Sequence, residues 1–173
     1  MKTILITLTA ALGLSGCGVF DQIAATRAHN YGVITHISKH VNATKSFNEV
    51  NTGFGIGSEA PLVMSRWSVG VEAGRFRNSN DELSTYAAGF AEYGLSRNSD
   101  RSVRIGAFTG LAEYPAEAAK NRANDELAIG DFIPVVGLQA TVPTFGPHEF
   151  RFRLTPGLTR ADAIITLQSN FVF

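Results

Sequence analysis

The chain has 173 residues, 15 basic and 15 acidic side chains, a formal net charge of zero and a single cysteine. That length is one domain's worth, one cysteine excludes an internal disulfide framework, and balanced charge without a Lys/Arg cluster offers nothing to a nucleic-acid backbone. No cofactor is implied, and His29, His40 and His148 show no metal-ligand spacing.

The first residues read as an export signal. Lys2 supplies a minimal positive region, Ile4 to Leu14 an apolar stretch too short to span a bilayer as a helix, and Leu14-Ser15-Gly16-Cys17 closes it. These four residues resemble the bacterial lipobox, in which cleavage before the cysteine follows its thioether lipidation. An ordinary signal peptide with a chance cysteine is the alternative, and in either case the mature chain leaves the cytoplasm. Gly18 after Cys17 resembles the lipoprotein pattern sorted to the outer membrane. The expected division is a signal peptide over 1–16, lipidated Cys17 with a short amphipathic helix over 17–29, and a β-barrel over 30–173.

After Cys17 no apolar run reaches the length of a membrane helix, so any spanning structure is a closed sheet whose strands satisfy each other's backbone groups. Eight segments carry strand patterning, near 30–41, 48–59, 65–77, 84–95, 101–113, 131–142, 148–156 and 162–173. Val50, Thr52, Phe54 and Ile56 alternate with Asn51, Gly53, Gly55 and Gly57, and Trp67, Val69, Val71 and Ala73 with Ser68, Gly70, Glu72 and Gly74. Val103, Ile105, Ala107, Thr109 and Leu111 oppose Arg104, Gly106, Phe108 and Gly110, and Phe150, Phe152 and Leu154 oppose Arg151 and Arg153. The last segment puts Ala163, Ile165, Leu167, Phe171 and Phe173 on one face, and its terminal Phe resembles the assembly signal of outer-membrane barrels. Apolar-out and polar-or-small-in strands of even number predict an all-β fold, an eight-stranded antiparallel transmembrane barrel, expected as a monomer. A soluble lipocalin-like barrel tethered by lipid is the alternative, with its apolar face turned inward. Asn78 to Glu82 and Pro115 to Glu126 read as the longer, outward loops, whereas Ala60-Pro-Leu, Asn98-Ser-Asp100 and Thr144 to Pro147 read as short turns.

Chemistry concentrates on the first strand. His36, Ser38 and His40 fall on one face at spacings of about 7 Å, and loop parity brings them to the rim where Arg77-Asn78-Ser79-Asn80-Asp81 ends the third strand. The order of landmarks resembles the lipid A palmitoyltransferase (PagP) family of outer-membrane barrels. Ile34-Thr35-His36, Phe47-Asn48-Glu49 before Gly53-Phe-Gly55-Ile-Gly57, Phe76-Arg77-Asn78-Ser79, Ile133-Pro134-Val135 and Gly146-Pro147 carry that resemblance. It implies transfer of a fatty acyl chain from a phospholipid to lipid A. His36 would be the base, Ser79 the hydroxyl partner, and Asn78 stands where the family has an aspartate, with Asp81 the nearby carboxylate. Acyl transfer also needs an oxyanion donor and a dry slot, which Gly53, Gly55, Gly57, Gly70 and Gly74 would clear. These glycines equally relieve crowding in a narrow lumen. Pro134 and Pro147 would weaken strand ladders where a lipid enters, or simply mark edges and turns.

Two other functions fit the same residues. His36-Ile-Ser38 followed by Glu49 resembles the His-x-Ser and downstream Glu of lipid A 3-O-deacylase barrels, with Ser38 as nucleophile and Glu49 as orienting carboxylate. A non-catalytic structural barrel is the third reading, its lumen locked by Glu72, Arg104, Arg151 and Arg153.

Overall fold

A computed structural model describes residues 29–41, 49–62, 65–78, 80–96, 102–124, 126–156 and 163–173. The side chains of His29, Ile34, Thr35, His36 and His40 lie outside that description, as do the expected signal peptide, Cys17 and the expected helix over 17–29. Eight strands follow in chain order: β1 (His29–Val41), β2 (Val50–Pro61), β3 (Trp67–Arg77), β4 (Leu83–Gly94), β5 (Arg104–Glu113), β6 (Phe132–Pro143), β7 (His148–Pro156) and β8 (Ala163–Val172). Each pairs antiparallel with its successor and β8 pairs with β1, so the sheet closes on itself. The expected all-β, eight-stranded antiparallel barrel is therefore the fold. The largest boundary difference is at β5, which starts at Arg104 rather than near 101.

Side-chain alternation decides what the barrel shows and what it hides. Phe54 and Ile56 are each 71% exposed on the outer wall, and Val71, Ile105, Leu138, Phe152, Leu154 and Ile165 join them there. The inner face carries Glu59, Glu72, Glu92, Glu149, Arg151 and Arg153, all buried. A barrel folded for water places these two classes the other way round.

Both ends of the described chain lie at one rim, with the 62–66, 95–103 and 144–147 connections. The opposite rim carries the 42–49, 78–82, 114–131 and 157–162 connections; these are the terminal rim and the loop rim below. The terminal rim is aromatic: Trp67 packs edge-on against Tyr93 with centroids 5.3 Å apart, Arg66 lies 4.4 Å over the Tyr93 ring, and His148 meets Phe171 at 5.2 Å. Phe145, at the tip of the 144–147 turn, is 98% exposed.

At the loop rim, the β5–β6 connection holds helix α1 (Pro115–Ala123) where the sequence reading expects only a polar loop. Proline at the first helical position, Glu117 in the first turn and Lys120 and Arg122 in the last agree with the helix dipole, and the intervening alanines are strong helix formers.

One irregularity matters for the site. The β1 register shifts between Val33 and Thr35 against both neighbours. Tyr31 and Val33 are buried before the shift and Ser38 after it, so the bulge changes which alternate positions of β1 face inward.

Candidate functional site

The ends of β1 and β3 meet at the loop rim, as the sequence parity requires. Ser38 is buried and its hydroxyl donates to Asn51 Oδ1 on β2, while Asn51 Nδ2 donates to the Arg77 carbonyl at 2.8 Å. His36 occupies the same ladder, its backbone in register with the buried Asn51 on one side and the buried Gln168 on the other. Its side chain and all of Ser79 lie outside the described residues, so the expected His36–Ser79 pair is placed only through the backbone of β1.

Asn78 holds a turn. It is fully buried; its side-chain oxygen accepts from the Asn80 and Glu82 amides at 2.9 and 3.0 Å, and its Nδ2 donates to Ser84 Oγ at 2.8 Å. Ser84 passes its own proton on to the Glu113 carbonyl at 2.6 Å. Asn78 thus ties the β3–β4 turn, where Asp81 has φ 67, to the end of β5. An ionised aspartate could take the two amides but could not donate to Ser84, which gives asparagine a structural reason here. Asp81 itself is exposed and its carboxylate lies 3.4 Å from Arg77.

Of the His36/Ser38/Glu49 constellation, Ser38 and Glu49 are described, whereas the His36 side chain lies outside the described residues. Glu49 is exposed and its carboxylate binds Lys39 Nζ at 2.6 Å, whereas Ser38 is buried. Their backbones are joined, the Ser38 amide donating to the Glu49 carbonyl at 2.9 Å.

The glycines seat aromatic rings. A Cβ on Gly57 would stand 2.2 Å from the Tyr31 ring, on Gly70 2.2 Å from the Phe90 ring, and on Gly74 2.8 Å from the Tyr86 ring. At Gly55 it would meet the Tyr86 hydroxyl at 3.0 Å, and at Gly53 the backbone of Arg75 and Phe76. The room expected for an acyl chain at Gly57, Gly70 and Gly74 is the room that these rings fill. Tyr31, Val33, Phe90 and Phe108 form the apolar core inside the barrel.

The two prolines differ. Pro147 lies in the 144–147 turn and its carbonyl accepts from the Val172 amide at 2.7 Å, so the β7–β8 seam is bridged there and no opening exists at that point. Pro134 pairs with Leu111 of β5, but the β6–β7 ladder runs only from Leu138–Leu154 to Pro143–Glu149. Among the described residues, the loop-rim part of β6, Pro134 included, pairs on its β5 side alone.

Toward the terminal rim the lumen is filled by a network larger than the four charges read from the sequence. Arg151 donates to Thr141 Oγ1 at 3.0 Å, the Tyr31 hydroxyl at 2.8 Å, Glu72 at 3.1 Å and Glu59 at 3.4 Å. Arg153 donates to Glu72 and, at 3.1 Å, to Gln139. Arg104 reaches Glu92 at 3.0 Å, Glu149 at 2.9 Å and Glu59 at 3.2 Å. Gln139 and Gln168 supply further donors to Glu92 and Glu72. The guanidiniums of Arg151 and Arg153 also lie over the rings of Phe90 and Phe108, at 4.3 and 4.7 Å. Charged groups taken out of water are tolerated where opposite charge and hydrogen bonds surround them, which is the arrangement here. Glu59, Glu92 and Glu149 were missed as members. Each shares the inward parity of its strand, so alternation contains the signal, but their partners are set by barrel closure. Among the described residues no cluster of three or more His, Cys, Asp or Glu side chains could hold a metal ion.

No family model and no curated protein matches this chain. Among solved structures, the outer-membrane protein Ail of Yersinia pestis in a phospholipid bilayer nanodisc aligns at a TM-score of 0.44 with 10% identity, over 85% of this chain and 100% of that one. The crystal structure of Ail aligns at 0.41 with 11% identity over 84% and 98%, and its complex with the heparin analogue sucrose octasulfate at 0.39 with 10% identity over 86% and 99%.

Proposed function

We propose that this chain is a non-catalytic outer-membrane barrel of a Gram-negative bacterium, a plug-like structural unit whose lumen is sealed by its own side chains. The observation that carries this reading is the inside-out distribution of polarity. Fully buried Arg151 and Glu72 form an ion pair at 3.1 Å inside, while Phe54, Ile56 and Leu138 stand exposed outside. Strands of 9 to 13 residues match the length needed to cross a bilayer at the usual tilt. The aromatic terminal rim fits one membrane interface, and the longer loop-rim connections fit the exterior. In that orientation the chain enters β1 from the periplasmic side, which is also where a lipid on Cys17 would sit in the inner leaflet.

Acyl transfer from phospholipid to lipid A is the second reading, favoured by β6 at Pro134 pairing, among the described residues, with β5 alone. It asks for a slot that the rings of Tyr31, Phe90 and Tyr86 occupy and for an Asn78 that is committed to a turn. Mass spectrometry of lipid A from cells overexpressing the wild type or His36→Ala separates the two. The sealed-barrel reading expects unchanged lipid A in both. An acyl group gained only with His36 present would establish transfer, and one lost only with His36 present would establish hydrolysis.

A further inference from the structure

The outer wall carries a polar feature that the sealed lumen does not explain. Arg75 projects outward from β3, exposed, and among the described residues its guanidinium makes no hydrogen bond or ion pair. Arg77, the next outward residue, shares its guanidinium with the Asp81 carboxylate at 3.4 Å and the Asp81 carbonyl at 3.0 Å, so Arg75 is the open cation of the pair.

Its height is informative. Arg75 lies eight residues along β3 from Trp67 of the aromatic rim. At about 3.3 Å per residue and a tilt of about 40° it stands about 20 Å above that rim, just inside the upper edge of an apolar band about 25 Å tall. A guanidinium on a long stem at that depth reaches upward to the level of lipid phosphates.

One rung below, the same wall is hollowed. Ala73, Ala87 and Gly89 floor an apolar groove of about 800 Å³ walled by Ile56, Val71 and Leu111. Ala73 is paired with Ala87, and Arg75 with Thr85 immediately above them, so the groove and the cation belong to one β3–β4 surface. Small side chains let a hydrocarbon chain lie against the wall, and the arginine offers two parallel N–H donors to phosphate oxygens directly above it.

We infer that the β3–β4 outer wall binds one anionic, phosphate-bearing membrane lipid, its phosphate on Arg75 and one acyl chain in the groove over Ala73, Ala87 and Gly89. This rests on the membrane reading above. The net negative headgroup is what Arg75 selects, since a choline headgroup brings its own cation to the same place.

The test uses the full-length protein folded in phosphatidylcholine vesicles doped with phosphatidylglycerol, then released and weighed with its bound lipid by native mass spectrometry. The wild type should retain one phosphatidylglycerol per barrel in preference to phosphatidylcholine. Arg75→Gln should lower that retention about tenfold, and Arg75→Lys should restore much of it. Gly89→Leu should lower it by filling the groove, and this change is sterically open, because the nearest atom to a new Cβ is the Gly70 carbonyl oxygen at 3.8 Å. Emission of the sole tryptophan and the β-sheet circular dichroism report that each variant is folded. Retention unchanged in either Arg75→Gln or Gly89→Leu overturns the proposal, as does displacement of the lipid by inorganic phosphate, which would mark a free-anion site. A wild type that shows no folding signal in any vesicle overturns the membrane reading and this inference together, and is told apart by that signal.

Discussion

At the scale of single residues, the lumen is built by pairing absent side chains with large rings. Gly57 and Gly70 exist where Tyr31 and Phe90 lie against the wall, so an added methyl must push a ring out of an ordered, ion-bearing interior. Gly57→Ala and Gly70→Ala are expected to destabilise the barrel by about 1–3 kcal/mol, read from urea unfolding in detergent micelles. Gly89→Ala, on the outer wall with nothing closer than 3.8 Å, is expected to be neutral or mildly stabilising. Equal effects at all three would mean that the rings are not seated as described. Asn78 gives a sharper contrast. Its hydrogen bonds hold the turn, so Asn78→Asp should cost about 1–3 kcal/mol of stability by burying a carboxylate that cannot donate to Ser84 Oγ, whose own proton is given to the Glu113 carbonyl. A catalytic Asn78 aligned with the family's aspartate would instead give a gain in lipid A acylation on the same change.

At the scale of elements, the eight strands were legible because alternation with period two is local: Phe150, Phe152 and Leu154 against Arg151 and Arg153 declare both faces of β7 without reference to any neighbour. Helix α1 was also written locally, in Pro115 followed by alanines and a Glu-to-Lys charge order, but its position between two strands made it read as a loop. The bulge in β1 has no such signature. Nothing in Val33-Ile34-Thr35 marks a register shift, and yet that shift sets the inward position of Ser38. Likewise the sequence places Glu72 and Arg151 on inward faces but not in contact, because strands 3 and 7 meet only across a closed lumen. The short β6–β7 ladder makes its own prediction. Among the described residues 132–137 pair with β5 alone, so their β7-facing amides should exchange hydrogen faster than those of 138–141, which pair on both sides. Equal protection across β6 would show that the seam is closed up to the loop rim.

For the whole molecule, stability comes from an interior of charges and rings and an exterior that water does not want. Glu72 holds Tyr31, Arg151, Arg153 and Gln168 at once, so Glu72→Gln leaves two buried guanidiniums short of their counter-charge. A loss of about 3 kcal/mol in unfolding free energy is expected, with the folded barrel now passing ions in planar-bilayer recordings if the network is also what closes the lumen. Unchanged stability would mean that water has access to the network and already screens it.

The account as a whole depends on hydrocarbon, not water, touching the outer wall. Trp67 is the only tryptophan, outward-facing at the terminal rim, and so reports that contact directly. In vesicles whose acyl chains carry bromine, its emission is expected to be blue-shifted and strongly quenched by the lipid while aqueous iodide has little effect. A protein that stays folded in detergent-free buffer, with Trp67 emitting as in water and quenched by iodide, would contradict the account.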